Sequence, residues 1–250
     1  MKVFIHNLKY RFQIVLHYFG WHVSRYRPLK YSEDTFEIQK QLLNKSPDVI
    51  FDVGAWVGKT SEKYLDSFPE AIVHAFEPFP QSFEKLEDRF KSKDRVVRSS
   101  SAVSANDGQA VLHSNNIETT NSLLASKSTN SEDDFFRDTL TEIHVETITL
   151  DTYCEENQIE TIDILKIDTQ GNELEVLKGA HSLLKSGRIQ LIYCEVSFIQ
   201  MYEDCPLYHE IAVYLEQFQY KLHSLYGLVK NEKGEMAWGD AIFCSNTVNA

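Results

Sequence analysis

The sequence predicts an α/β protein, a mostly parallel sheet with helices on both faces and an antiparallel hairpin at its C-terminal end. Three observations carry this. Short apolar runs alternate with helix-period segments from about residue 48 onward, and strands joined through helices pair in parallel by right-handed crossovers. The alternation resumes after a polar interruption at about 114–142. Two strand-like segments with no helix between them, "YKLHSLYGLV" and "WGDAIFCS", close the pattern around the turn "NEKGE".

Each element has its own signal. "FIHNLKYRFQIVLHYF" places Ile5, Leu8, Phe12, Val15, Leu16 and Phe19 at three- and four-residue steps, the period of an amphipathic helix. "TFEIQKQLLNK" is the next helix, capped by Ser32 or Asp34. "DVIFDVGA" is a strand and "KTSEKYLDSF" a helix; "AIVHAFEP" and "QSFEKLEDRF" repeat the pair; "RVVRSSSAVSA" is a third strand. Asp107-Gly108 reads as a tight hairpin turn into "QAVLHS". Residues 114–142 read as a long loop with a short helix at "DDFFRDTL", and loops of this length often act as lids. "HVETITL" alternates as a strand, with Asp151 as N-cap of the helix after it. "IDILKI", the helix "NELEVLKGAHSLLKS", "IQLIYCEV" and the helix "PLYHEIAVYLEQF" complete the parallel part.

Composition bounds the function. The 250 residues, 42% hydrophobic and 12% aromatic, fill a sizeable core and exclude a disordered chain. A net charge of -12 argues against a protein that coats nucleic acid. The charge is uneven. Residues 1–30 carry six Lys or Arg and no acid, which leaves -18 on the rest. Residues 1–35 therefore read as a basic amphipathic extension, able to pack on the body or to lie on an anionic membrane; residues 36–250 read as the main domain. Cys154, Cys194, Cys205 and Cys244 lie far apart with no CxxC spacing, as suits free thiols in a cytoplasmic compartment. No signal peptide or membrane span is expected.

The chemistry starts at "DVGAWVGKTS", residues 52–61. A phosphate-binding loop needs four residues between its glycines, and here Gly54 and Gly58 enclose three. Glycines at a strand-to-helix turn let a ligand approach the backbone, and the helix start at Thr60 and Ser61 offers unpaired N–H groups. Glu77 ends the second strand, placed to accept from a ribose diol. NAD and S-adenosylmethionine both present an adenosine. The missing third glycine, the acidic Asp52 and the closing hairpin favour S-adenosylmethionine, whose ammonium suits an acid.

Beyond these residues, the chain resembles the FkbM-type methyltransferases over about residues 45–246. The resemblance rests on "FDVGAWVGKTS", "AFEPFP", "ETITLDTY", "ILKIDTQGNELEVLKGA", "LIYCEVSF", "MYEDCPLYHEI" and "GDAIF". It implies a Rossmann-like class I methyltransferase fold, S-adenosylmethionine as cofactor, and methylation of oxygen, often on a sugar in a glycolipid, polysaccharide or natural product. Trp56 departs from it, since the family usually has Asn there. The cofactor set is Asp52, Gly54, Gly58, Thr60, Ser61, Glu77 and Ser101. Asp168 and Glu195, at strand ends, are the catalytic candidates, as a base or as ligands of a divalent cation; the plainer alternative pairs Glu195 with Lys166. His113 and His144, beside the expected lid, are alternative bases. Asn172 and Glu173 line the cleft or cap the helix that follows. A nucleotide-dependent oxidoreductase and a non-catalytic cofactor-binding scaffold are the competing functions.

Overall fold

The structure, a computed structural model, describes residues 34–43, 45–115, 120–125 and 139–246. The helix expected at 4–19, and the one expected at "DDFFRDTL" as far as residue 138, lie outside the described residues.

The chain order is α1 (Thr35–Leu42), β1 (Val49–Val53), α2 (Lys59–Ser67), β2 (Ile72–Phe76), α3 (Pro80–Arg89), β3 (Val96–Ser99), β4 (Ala102–Val103), β5 (Gly108–Asn115), β6 (Thr139–Ile148), α4 (Leu150–Glu156), β7 (Ile162–Ile167), α5 (Glu173–Lys178), α6 (His181–Lys185), β8 (Ile189–Ser197), α7 (Tyr208–Glu216), β9 (Lys221–Lys230) and β10 (Met236–Cys244). Seven strands form one sheet in the order β3-β2-β1-β7-β8-β10-β9. The first five of these pair in parallel. β10 runs antiparallel to both β8 and β9, the closing hairpin that the sequence predicts.

The apolar strands feed two cores because successive side chains leave opposite faces of the pleat. Ile50, Ile164, Leu191 and Ile242 pack with Tyr64, Leu86 and Phe90 of α2 and α3 on one face. Phe51, Leu165, Ile192 and Phe243 pack with Leu150, Val176, Leu183 and Ile211 of α4 to α7 on the other. All six residues of β7 are buried. This double cover puts even its two charged residues, Asp163 and Lys166, out of solvent.

Five local expectations are corrected. "RVVRSSSAVSA" breaks at Ser100–Ser101, so that β3 joins the main sheet and β4 a second sheet of order β4-β6-β5. Asp107-Gly108 therefore does not close a β4–β5 hairpin; β6 lies between those strands. The Asp107 carboxylate instead accepts from Thr149 N (2.6 Å) and Thr152 Oγ1 (2.7 Å). Thr149, not Asp151, caps α4. Asp151 accepts from Ser182 N and Leu183 N (2.8 and 3.0 Å), which ties α4 to the start of α6. The helix after Asn172 splits in two at Gly179, where a Cβ would lie 2.1 Å from Ser104 O. Finally, the variable stretch is shorter than 114–142, since β5 runs to Asn115 and β6 starts at Thr139.

Candidate active site

The turn after β1 is built by packing as much as by ligand access. Gly54 and Gly58 both have positive φ (77° and 80°), a region open to glycine without strain. A Cβ on Gly54 would sit 1.8 Å from Asp168 O, and one on Gly58 would meet Phe90 and Leu86 at 2.4 and 2.7 Å. The glycines thus seat the loop on the end of β7 and on α3. Gly54 N and Ala55 N donate to Phe76 O (3.0 and 2.9 Å), which fixes the loop beside the end of β2.

Glu77, one residue past β2, locks this arrangement. Its Oε2 accepts from Trp56 N (2.8 Å) and its Oε1 from Phe79 N (2.9 Å). Each oxygen keeps a lone pair for a ligand. Burial pushes the carboxyl up to about 7, against the pull of the two backbone N–H groups. Gly54, Glu77, Thr60 and Ser101 all line one cavity of about 340 Å³.

Asp52 and Ser61 take a different place from the one expected. Both are fully buried and neither lines the cavity. Ser61 Oγ donates to Asp52 Oδ2 at 2.6 Å, and Asp52 Oδ1 lies 2.9 Å from Lys166 Nζ. Asp52 therefore meets a lysine rather than a ligand's ammonium. Lys166 in turn donates to Gly54 O at 2.8 Å, so this buried charge holds the loop from behind. Burial alone would lower the Lys166 ammonium, but Asp52 and Asp168 more than offset it and the net shift is upward. Lys166 forms its ion pairs with Asp52 and, at 3.7 Å, with Asp168. The plainer expectation, that one of the strand-end acids pairs with Lys166, holds for Asp168 and not for Glu195.

Asp168 and Glu195 come together, because β7 and β8 are sheet neighbours, and both line the cavity. What joins them is Gln170, in the turn after β7. Its Nε2 donates to Asp168 Oδ1 (2.9 Å) and to Glu195 Oε2 (3.0 Å). Gln170 has φ 56°, an uncommon conformation for a residue with a Cβ. The turn is braced by Glu173, whose Oε1 accepts from Thr169 N, Thr169 Oγ1 and Gly171 N at 2.8 to 3.1 Å. Glu173 therefore braces the turn and does not line the cleft, whereas Asn172 lines it and donates to Val103 O at 3.0 Å. Burial first, then the neighbouring Asp168, pushes the Glu195 carboxyl well above the usual carboxylate range.

The segment 120–125 closes over this group. Ser122 Oγ donates to Gln170 O at 2.6 Å. Tyr202 OH donates to Gln170 Oε1 at 2.9 Å and to Thr120 O at 3.2 Å. Thr120 to Leu123, Met201 and Trp238 line the cavity. His113 and His144 do not line it; His113 Nδ1 lies 3.8 Å from Glu142. Among the described residues, no group of three or more His, Cys, Asp or Glu is arranged to hold a metal ion.

A parallel sheet with a glycine turn after β1, a buried acid after β2 and two acids at neighbouring strand ends can be compared with known proteins. Residues 52–222 match the model of the methyltransferase FkbM domain. The chain belongs to the FkbM methyltransferase family. It is 31% identical over 169 residues to the 2-O-methyltransferase NoeI of Sinorhizobium fredii, covering 65% of this chain and 68% of that protein. It is 27% identical over 165 residues to the hexuronic acid methyltransferase AglP of Haloferax volcanii, covering 66% of this chain and 62% of that protein. An rRNA methylase structure from Streptococcus thermophilus is similar at TM-score 0.47 and 13% identity, covering 89% of this chain and 99% of that one.

This FkbM methyltransferase is an S-adenosylmethionine-dependent enzyme, and membership of the family replaces the oxidoreductase and scaffold readings. Its cavity suits the cofactor. Glu77 keeps lone pairs free for a hydrogen-bonding ligand, and the acids Asp168 and Glu195 line the same space.

Proposed function

We propose that the protein methylates a sugar hydroxyl, carried by a glycan, a glycolipid or a natural-product glycoside. The observation that carries this reading is the Asp168–Gln170–Glu195 group in the same cavity as Glu77 and the glycine loop. The relatives support it: one is by name a 2-O-methyltransferase and another a hexuronic acid methyltransferase.

When bound, S-adenosylmethionine supplies a methyl group on a sulfonium, which passes to an oxygen placed in line with it as S-adenosylhomocysteine is released. The chain's own residues do the rest. Glu77 and the loop hold the adenosine end. Asp168, with 44% of its side chain exposed, takes the hydroxyl proton as general base. Lys166 forms an ion pair with it at 3.7 Å. Burial and the neighbouring charge hold the Glu195 carboxyl beside it well above the usual carboxylate range. Gln170 holds both carboxyls in register and, through Tyr202 and Ser122, links them to the covering segment.

A divalent cation at the two acids is the second form of the mechanism. It would displace the Gln170 amide, whose N–H groups already bond both carboxyls, so activity is expected to survive EDTA. The test of the function is transfer of labelled methyl from S-adenosylmethionine to a panel of sugars, uronic acids and glycolipids. O-methyl sugar as product supports the reading; methyl incorporation confined to protein or nucleic acid opposes it.

The basic segment 1–30 is part of the same proposal. It would bring the site to lipid-linked sugars at an anionic membrane surface, each Lys or Arg contributing about 1 kcal/mol. Among the described residues no helix is long and apolar enough to cross a membrane. Salt-sensitive co-sedimentation with anionic liposomes, lost when the chain starts near Tyr31, is the expected result; a full chain that stays in the supernatant at low salt argues for a packed helix.

A further inference from the structure

Two cations line the cofactor cavity, Lys59 and Lys166. Lys166 is engaged by Asp52 and Gly54 O. Lys59 makes no ion pair among the described residues. Its Nζ lies 4.7 Å from the centroid of the Trp56 ring, within reach of a cation–π contact.

Trp56 has an unmet need of its own. Its backbone N–H is taken by Glu77, but its indole Nε1–H is buried without a hydrogen-bond partner. Buried indole N–H groups usually find an acceptor. So a neutral donor and a cation share one wall of the cavity, held together by their own contact, and neither has an anionic partner.

The partner that suits both is a carboxylate, with one oxygen for the indole N–H and one for the ammonium. The cofactor carries one. The carboxylate of its amino-acid arm suits the cavity's cation that forms no ion pair among the described residues. We infer that Trp56 and Lys59 form a carboxylate-binding pair that holds the amino-acid arm of S-adenosylmethionine. This rests on the cofactor assignment and not on the sugar acceptor.

The test is calorimetry on the full chain with two ligands, S-adenosylhomocysteine and 5′-methylthioadenosine, which lacks the amino-acid arm. In Trp56→Phe and in Lys59→Met, affinity for S-adenosylhomocysteine should fall about tenfold or more, the scale of a hydrogen bond to a charged group. Affinity for methylthioadenosine should stay within about twofold, which also shows that the variants fold. Equal losses for both ligands would assign the pair to the adenosine or to loop shape, and overturn the inference. Unchanged affinity for S-adenosylhomocysteine overturns it as well. A third arm adds glucuronate to protein saturated with S-adenosylhomocysteine. Glucuronate binding that is lost in the variants, with S-adenosylhomocysteine affinity intact, would give the pair to an acceptor carboxylate instead.

Discussion

The two walls of the cavity are built in opposite ways. The wall formed by Gly54 to Gly58 and Glu77 comes from two consecutive strand-to-helix turns, and a buried ion pair braces it from behind. The wall formed by Asp168, Gln170 and Glu195 takes its partners from far along the chain. Ser122, 48 residues before Gln170, and Tyr202, 32 residues after it, hold it in place. The first wall is built from neighbouring segments, with Lys166 of β7 as its distant brace. The second depends on a covering segment that reaches it across the site. The proposed function gives binding to the first wall and chemistry to the second, and mutation can test whether the two separate.

The largest effect is expected behind the first wall. Lys166→Met removes the partner of a fully buried Asp52, and an uncompensated buried charge costs about 3–5 kcal/mol. A melting temperature within a few degrees of wild type would mean that Asp52 is not held charged by Lys166. Next, Glu77→Ala should weaken S-adenosylhomocysteine by about 1.5–3 kcal/mol. It also frees the Trp56 and Phe79 N–H groups, so the loop should exchange its amide hydrogens faster. Wild-type affinity in this variant would remove Glu77 from the site.

A pH effect follows from the same residue. Glu77 is raised from 4.5 to about 7 by burial, so its contribution to stability is fully present below about 4.5 and is lost as pH rises through about 7. Cofactor binding needs the ionised form, so S-adenosylhomocysteine affinity should rise with pH up to about 7 and then level. Titration calorimetry from pH 5.5 to 8.5 checks this. A flat profile would mean that Glu77 is already ionised at pH 5.5 or does not touch the ligand. The smallest effect belongs to the link to the covering segment: Tyr202→Phe removes the hydroxyl that bonds Gln170 and Thr120, at about 1 kcal/mol per hydrogen bond. It should lower turnover several-fold with little change in cofactor affinity.

The first wall was legible because its evidence is contiguous. A strand, a glycine turn and an acid ending the next strand lie within residues 52–77, and local geometry does the rest. The strand-end rule also brought out Asp168 and Glu195. What the sequence could not show was partner choice. Lys166 reads as a partner for either neighbouring acid until the register of β1 and β7 places it opposite Asp52. Gln170 carries no motif of its own, because its two acceptors, Asp168 and Glu195, and its two donors, Ser122 and Tyr202, are brought together only by the fold. The helix break at Gly179 is also tertiary, set by the approach of Ser104 O. The glycines of the loop also answer a second need, that of packing. Gly54 makes room for the backbone of Asp168, which links the two walls directly.

That link makes Asp168→Asn the sharpest test of the separation. The variant keeps the backbone and nearly the shape of the side chain but removes the base. Methyl transfer should be measured at saturating S-adenosylmethionine, on the sugar that the wild type methylates, beside S-adenosylhomocysteine affinity in the same preparation. The account predicts turnover lowered by about 100-fold or more, the scale of a lost general base, with affinity within a few-fold of wild type. Full turnover, or a loss of affinity as large as the loss of turnover, would contradict it.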